Sequence, residues 1–379
     1  DVVHVFGLGI DLNTALLVAA ARRADARVVL HFHGAQPAAD GLTRALQRYA
    51  VRRTDRVLFT HADQAAPWLA TGWLRPSQVA TVIETSVRPH RSRVDPVAGP
   101  LPQPRPDGDA PAAAGSGPVV AIVGRLDAVK DPLTALLAFA RAADALPGAR
   151  LHVVGAPGGL GARLRALVGS MPDLAGRVVF HGYTKSRALA AWLGGVDILL
   201  HASRREWSSL AILEALAAGV VPVASDLPAL RTLTDDGRCA RLVPPGDDAA
   251  FAAAIVALWA DRPALERLQA AGPAWFARAR SFDAMARDVA AVYGALGVAG
   301  TTGMAVAAGS AGVVDAPGVG NAPGVGNAPG VGNAPVVVDA PGDGDHNAVQ
   351  RDDDAAGVDV DTAAVQRARG SARSPVAAS

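Results

Sequence analysis

The sequence predicts an α/β chain built on two Rossmann-like, doubly wound domains, the first of them incomplete, followed by a disordered C-terminal tail. Three observations point there. Short apolar runs rich in Val, Leu and Ile alternate with stretches of helical spacing from residue 2 to residue 296. Continuous apolar strands between helices mark a parallel sheet covered on both faces. The composition is 50% hydrophobic but only 4% aromatic. That balance suits alanine-rich helices on valine-rich strands better than an aromatic-filled β-sandwich. The alternation breaks twice, at 88–117 and 297–379, where proline and glycine take over.

In the first region, 1–87, strands are expected at Val2–Phe6, Arg27–Phe32, Arg56–Phe59 and Val79–Glu84, with helices at Leu12–Arg23, Leu42–Arg53 and Ala62–Ala70. These strands are too few for a complete doubly wound domain. Because Val2 already reads as buried strand, the chain is expected to begin inside a domain. Residues 88–117 read as a linker. In the second region, 118–296, six strands are expected at Val119–Val123, Arg150–Val154, Val178–Phe180, Asp197–Leu200, Val221–Ala224 and Arg241–Val243. Pro132 and Pro228 lie near helix starts, and helices near Ala249–Trp259, Pro263–Ala270 and Phe282–Leu296 close the region. This is a complete Rossmann-like pattern. In 297–379 the motif Asn-Ala-Pro-Gly-Val-Gly repeats through Ala316–Pro335, a composition that forbids regular structure and predicts disorder.

Charge and cysteine content narrow the function. The formal net charge is +1, so no nucleic-acid footprint is expected. Four Arg and nine Asp in 301–379 leave +6 on residues 1–300, which suits an anionic small ligand or an acidic membrane surface. Cys239 is the single cysteine, so neither an internal disulfide nor a Cys-based zinc site can form. A reducing, cytoplasmic location is expected, with peripheral contact at the inner face of a membrane left open. No run reaches the ~18 uncharged apolar residues of a membrane span, and no basic amphipathic helix stands out. Lys130 and Lys185 are the only lysines, against 34 arginines; Glu84, Glu206, Glu214 and Glu266 are the only glutamates, against 31 aspartates. That scarcity gives weight to the places where they persist.

Four features could carry chemistry. Gly124-Arg125-Leu126, followed by Lys130, stands at the carboxyl end of the first strand of the second region. In an open parallel sheet that is where ligands bind. Gly124 permits close backbone approach, and two cations suit a diphosphate. Glu206 and Glu214 flank Ser208 and Ser209, which read as the start of a helix running to Gly219. The free N–H groups of such a start suit phosphate. Glu214 could accept from a ribose diol and Glu206 could reach a sugar hydroxyl, although a pair of solvent-facing glutamates would look the same. Pro222–Pro228 reads as a structural turn. His31-Phe32-His33-Gly34 ends a strand, with both histidines on one face. No third ligand lies near in sequence, so a single active-site histidine or a packed one is the better reading than a metal. Gly7-Leu8-Gly9 and Gly155–Gly161 do not complete a dinucleotide fingerprint.

In order and spacing these motifs resemble the family-4 glycosyltransferases. The segments concerned are Gly124-Arg125-Leu126 with Lys130, Val153-Val154-Gly155, Phe180-His181-Gly182-Tyr183, Glu206 through Glu214, Gly219–Ser225 and Leu242–Asp247. The resemblance covers essentially all of 118–296, and 1–87 looks like the second half of the family's N-terminal domain. It implies a GT-B fold, two Rossmann-like domains facing across a cleft, and retaining transfer of a sugar from a nucleotide-diphosphate sugar to a glycan, lipid or small-molecule acceptor. Arg125 and Lys130 would hold the diphosphate in place of a metal. Glu214 would bind the ribose and Tyr183 would lie near the base. Gly124, Ser208 and Ser209 would complete the donor site, Glu206 would contact the transferred sugar, and His33 would approach from the acceptor side. No cofactor is implied beyond the donor substrate. Trp207 departs from the family pattern, which usually places small glycines after the first glutamate. A non-catalytic nucleotide-sugar-binding protein is the competing reading, and a nicotinamide-dependent oxidoreductase a third.

Overall fold

The computed structural model describes residues 1–7, 10–33, 36–82, 117–184 and 186–298. Apart from Gly117, Gly297 and Val298, the expected linker and tail lie outside them, as do Gly9, Gly34, Glu84 and Lys185.

The first region forms a four-stranded parallel sheet in the order β1-β2-β3-β4. Its elements are β1 (Val2–Gly7), α1 (Leu12–Arg23), β2 (Arg27–Phe32), α2 (Gly41–Arg52), β3 (Arg56–Phe59), α3 (Ala65–Ala70) and β4 (Val79–Thr81). One face buries Val28, Leu30, Phe32, Val57 and Phe59 against Val18, Ala50 and Trp68. The Phe32 and Trp68 rings stack 4.7 Å apart. The helix expected over Ala62–Ala70 is split. A 3-10 turn occupies Ala62–Gln64, and α3 begins at Ala65. Gln64 Oε1 accepts from Thr60 N–H and Oγ1–H at 3.0 Å, which tightens that turn.

The second region contains β5 (Val119–Val123), α4 (Pro132–Ala142), β6 (Arg150–Val154), α5 (Gly161–Gly169), β7 (Val178–Gly182), α6 (Ser186–Leu193), β8 (Ile198–His201), α7 (Leu210–Ala218), β9 (Val221–Ser225), α8 (Pro228–Leu233) and β10 (Arg241–Val243). Then follow α9 (Asp248–Ala260), α10 (Arg262–Ala279) and α11 (Phe282–Gly294). All six strands pair in parallel, in the order β10-β9-β8-β5-β6-β7. The chain runs outward from β5 through β6 to β7, then crosses back to lay β8 on the other side of β5. That reversal opens a crevice at the carboxyl ends of β5 and β8, the place where such sheets bind ligands. Pro132 and Pro228 open α4 and α8 as expected. The helix expected at Pro263–Ala270 runs on to Ala279 with Pro273 inside it. The strand expected at Asp197–Leu200 is shifted by one, to Ile198–His201. Asp197 stands just before it, and its Oδ2 accepts the Val119 N–H at 2.8 Å.

A core of Val119, Ala121, Leu193, Leu199, Leu213, Leu216, Ala224 and Phe276 lies on one side of this sheet. Helix α11 packs Val289 against Val29 and Leu58, which are buried on the opposite face of the first sheet. His4 Nδ1 meets the Tyr293 hydroxyl there at 2.7 Å.

Candidate active site at the switch point

The loop after β5 is fixed by its neighbour after β6. Leu126 N–H donates to Ala156 O at 3.1 Å, and Leu160 N–H donates to Leu126 O at 2.9 Å. A Cβ on Gly155 would fall 2.2 Å from Gly124 O, and one on Gly158 2.7 Å from the Leu126 carbonyl carbon. The glycine stretch that fails as a dinucleotide loop therefore has a definite task. It lets one backbone lie against another and holds Gly124-Arg125-Leu126 in place. Gly124 itself has φ 147°.

Asp127 closes the next turn, accepting the Lys130 N–H at Oδ1 (2.9 Å) and pairing with the Arg125 guanidinium at Oδ2 (2.8 Å). Asp131, in the left-handed region at φ 44°, caps α4 by accepting from Thr134 N–H and Oγ1–H. Its carboxylate also holds Arg204, whose own N–H donates to Val129 O at 2.8 Å. The two loops at the switch point are thus stitched together by backbone and by an ion pair.

Lys130 and Glu206, 76 residues apart, meet in that crevice as an ion pair. Glu206 also accepts from His201 Nε2–H at 2.8 Å and from Ser203 Oγ–H at 2.9 Å. All three donors fall on Oε1. Among the described residues Oε2 has no such partner, so the carboxylate keeps one free acceptor. Its side chain is 5% exposed. Burial alone would raise its pKa, but the hydrogen bond and charge of His201 and then the charge of Lys130 outweigh it and hold it at about 2. Glu206 is therefore ionised, and His201 Nε2 must be the protonated nitrogen.

Ser209 caps α7, accepting from Ile212 N–H at 3.4 Å, and its Oγ lies 3.2 Å from His201 Nε2. Gly219 ends that helix at φ 76°. Glu214 is buried within it, and Ser208 is half-buried ahead of it. The helix from Ser209 to Gly219 read from the sequence is present.

Other expected site residues are placed differently. Arg125 does not join the Lys130 cluster; its guanidinium is exposed and paired with Asp127. Tyr183 is exposed and, with Phe180, Gly155, Pro157, Gly161 and Arg165, lines a pocket of about 450 Å³ beside the β5 loop. Arg165 stacks its guanidinium 4.9 Å over Phe180 there. His33 stacks on His31 at 4.8 Å and is not among the partners of Glu206. His201, Ser203, Asp131 and Arg204 went unremarked in the sequence. The signal for His201 and Ser203 was their position between a strand end and a rare glutamate. Among the described residues no group of three or more His, Cys, Asp or Glu is placed to hold a metal ion.

Two parallel sheets, the second with its charged site at the switch point, define a protein of the GT-B fold. The family model described as glycosyl transferases group 1 matches residues 117–261, within the second region. The chain is 34% identical over 164 residues to a phosphatidyl-myo-inositol mannosyltransferase of Mycobacterium leprae, a match covering 41% of each chain. It is 33% identical over 203 residues to a D-inositol 3-phosphate glycosyltransferase of Nocardia farcinica, covering 49% of this chain and 45% of the relative. The matched region thus spans less than half the length of these relatives. Among solved structures, sucrose-phosphate synthase from Thermosynechococcus elongatus superposes with TM-score 0.58 at 22% identity, over 78% of this chain and 73% of its own. Anabaena HepE in complex with UDP superposes with TM-score 0.56 at 15% identity, over 74% and 76%.

Proposed function

We propose that the protein transfers a sugar, with retention at the anomeric carbon and without a metal, from a nucleotide-diphosphate sugar to a hydroxyl acceptor. The observation that carries this reading is the Lys130–Glu206 pair at the switch point. A diphosphate needs a cation beside helix N–H groups, and a sugar needs an ionised carboxylate to accept its hydroxyls. The starts of α4 and α7 both follow the two loops that bring Lys130 and Glu206 together.

On this reading the donor's diphosphate draws Lys130 away from Glu206. Glu206 retains His201 and Ser203 on Oε1 and offers Oε2 to the sugar. Arg125 turns from Asp127 toward the phosphates, Ser208 and Ser209 border them, Glu214 takes the ribose, and Tyr183 borders the base. The bond from the anomeric carbon to the phosphate oxygen breaks with its electron pair going to the nucleoside diphosphate, the bond to the acceptor oxygen forms, and the acceptor's proton passes to the departing diphosphate or to solvent. Lys130 offsets the charge that develops on the departing nucleotide. His33, at the carboxyl end of β2, would lie on the acceptor side.

The named relatives direct the choice of acceptor. Both act, by name, on inositol compounds, so inositol phosphates and inositol phospholipids are the first acceptors to test, and a lipid acceptor would bring the protein to a membrane surface. Among the described residues no helix is long and apolar enough to cross one. The deciding experiment is a sugar-nucleotide panel scored by thermal stabilisation, followed by release of nucleoside diphosphate with each acceptor. Stabilisation by none of the panel, or equal stabilisation of Lys130→Ala, would refute the site.

A further inference from the structure

A second concentration of positive charge lies outside the crevice, on α2. Arg44, Arg48 and Arg52 recur every four residues, so they form one stripe along the helix, about 12 Å long at the helical rise. All three are exposed, as is Arg53. The helix contains no acidic residue. Like charges at this spacing oppose helix formation by a few tenths of a kcal/mol per pair. Elsewhere carboxylates accompany arginines: Asp55 pairs with Arg22 and Arg27, Asp127 with Arg125, and Asp226 and Asp236 with Arg231. Among the described residues no ion pair is formed by Arg48 or Arg52.

The stripe borders a groove of about 540 Å³ lined by Arg44, Arg48, Arg52 and Arg53 with Tyr49 and Trp73, and among the described residues no carboxylate lines it. Aromatic rings hold two of the guanidinium groups. Arg44 lies 4.6 Å over Trp73 and Arg53 lies 4.0 Å over Tyr49. Arg44 also donates to Ala38 O at 3.0 Å. Stacking uses the face of a guanidinium and leaves N–H groups at its edge, the geometry that grips a phosphate with two parallel hydrogen bonds. Uncompensated charge, a concave surface and forks fixed by stacking together specify an anion-binding site.

We propose that this groove binds a ligand carrying two or more phosphate groups, held by Arg44, Arg48 and Arg52, at a site separate from the crevice. The ligand is either a free polyphosphorylated molecule or a phosphorylated lipid headgroup. The proposal does not rest on the sugar-transfer reading, since it uses no residue of the crevice.

The test uses the full chain carrying Lys130→Ala, so that the crevice lysine cannot itself serve as an anion contact. Inorganic tripolyphosphate is titrated calorimetrically into this protein and into the same protein with Arg48→Gln and Arg52→Gln. In parallel, both are floated with phosphatidylcholine vesicles with and without phosphatidylinositol 4,5-bisphosphate. The glutamine pair is expected to lose about tenfold or more in affinity for at least one probe. Loss toward tripolyphosphate identifies a soluble ligand; loss confined to the phosphoinositide vesicles identifies a lipid headgroup. Arg48→Lys with Arg52→Lys should restore only part of the loss, because lysine lacks the fork. Unchanged binding of both probes by the glutamine pair, or full restoration by lysine, would overturn the site. Matching thermal melts of all variants show that the fold is intact.

Discussion

His201 Nε2 lies 2.8 Å from Glu206 Oε1, on the same carboxylate oxygen that takes Lys130 and Ser203. Three donors on one oxygen orient the carboxylate, and among the described residues the other oxygen has no partner. Lys130, the cation to which the proposed function gives the diphosphate, is itself paired with Glu206. Ligand binding must therefore compete with an internal ion pair, and that competition can be measured.

Glu206→Gln removes the competitor. It should tighten binding of a nucleoside diphosphate several-fold, because Lys130 no longer leaves a charged partner, while Lys130→Ala should weaken it by about 10- to 100-fold, the scale of a charged hydrogen bond. Calorimetric titration of both variants with the same diphosphate separates the two effects. Weakened binding in Glu206→Gln would mean that the glutamate supports the diphosphate site instead of opposing it.

His201 acts through Glu206. On the proposed reading a bound diphosphate draws Lys130 away, and His201 and Ser203 are then left to hold the carboxylate. His201→Phe should therefore lose affinity for the sugar nucleotide while keeping affinity for the diphosphate alone. His201→Asn, which retains a donor, should recover part of the difference. A general packing defect would lower both affinities together.

Gly155 tests how the site is supported from behind. With a Cβ only 2.2 Å from Gly124 O, backbone must shift if any side chain is added. Gly155→Ala should destabilise the protein by about 1–3 kcal/mol, the usual cost of overpacking, and weaken diphosphate binding by moving the β5 loop. Urea melts and the same titration measure both. Gly159→Ala is the contrast: its φ of 89° makes it a strained position, yet a Cβ there meets nothing within 4 Å, so the β5 loop should stay in place and diphosphate affinity should be kept.

Much of this was legible in the sequence because it is local. The β5 strand, the glycine after it, the Ser209 cap and the Gly219 stop each depend on a few adjacent residues, and the alternation of strand and helix follows from hydrophobic spacing. The rarity of lysine and glutamate singled out Lys130 and Glu206 as a site, but not as partners; their contact spans 76 residues and needs the strand order around β5. His201 is harder to read, for a different reason: its one signal is its nearness to the rare Glu206. It ends a buried apolar strand, where a histidine looks like any packed residue until its carboxylate is known. The Arg44–Arg48–Arg52 stripe has helical spacing in plain view, but the groove beside it depends on Trp73, which reaches it from beyond β3. In the same way Gly155–Gly161 looked like an incomplete cofactor loop because its use, contact with Leu126, lies in another segment.

The pair His152 and His181 predicts how stability responds to acid. Their rings stack 5.1 Å apart with Nδ1 of His152 2.8 Å from Nε2 of His181, and both meet Trp192 edge-on. His152 Nε2 is buried without a hydrogen-bond partner. Burial, then the charge of His181 and of Arg150, lowers the His152 pKa to about 4, and burial lowers that of His181. A histidine lowered on folding binds a proton in the unfolded chain first. The protein should therefore hold its stability above pH 6.5, the ordinary value, and lose it as pH falls toward 4, by on the order of 3 kcal/mol for His152 alone. Glu206, lowered to about 2, adds a further loss beginning below its ordinary 4.5. Urea melts from pH 7.5 to 4 measure the first window. His152→Gln should flatten the slope between pH 6.5 and 4 while leaving the Glu206 contribution below 4.5 in place. An unchanged slope in that variant would mean that His152 is readily protonated in the folded protein.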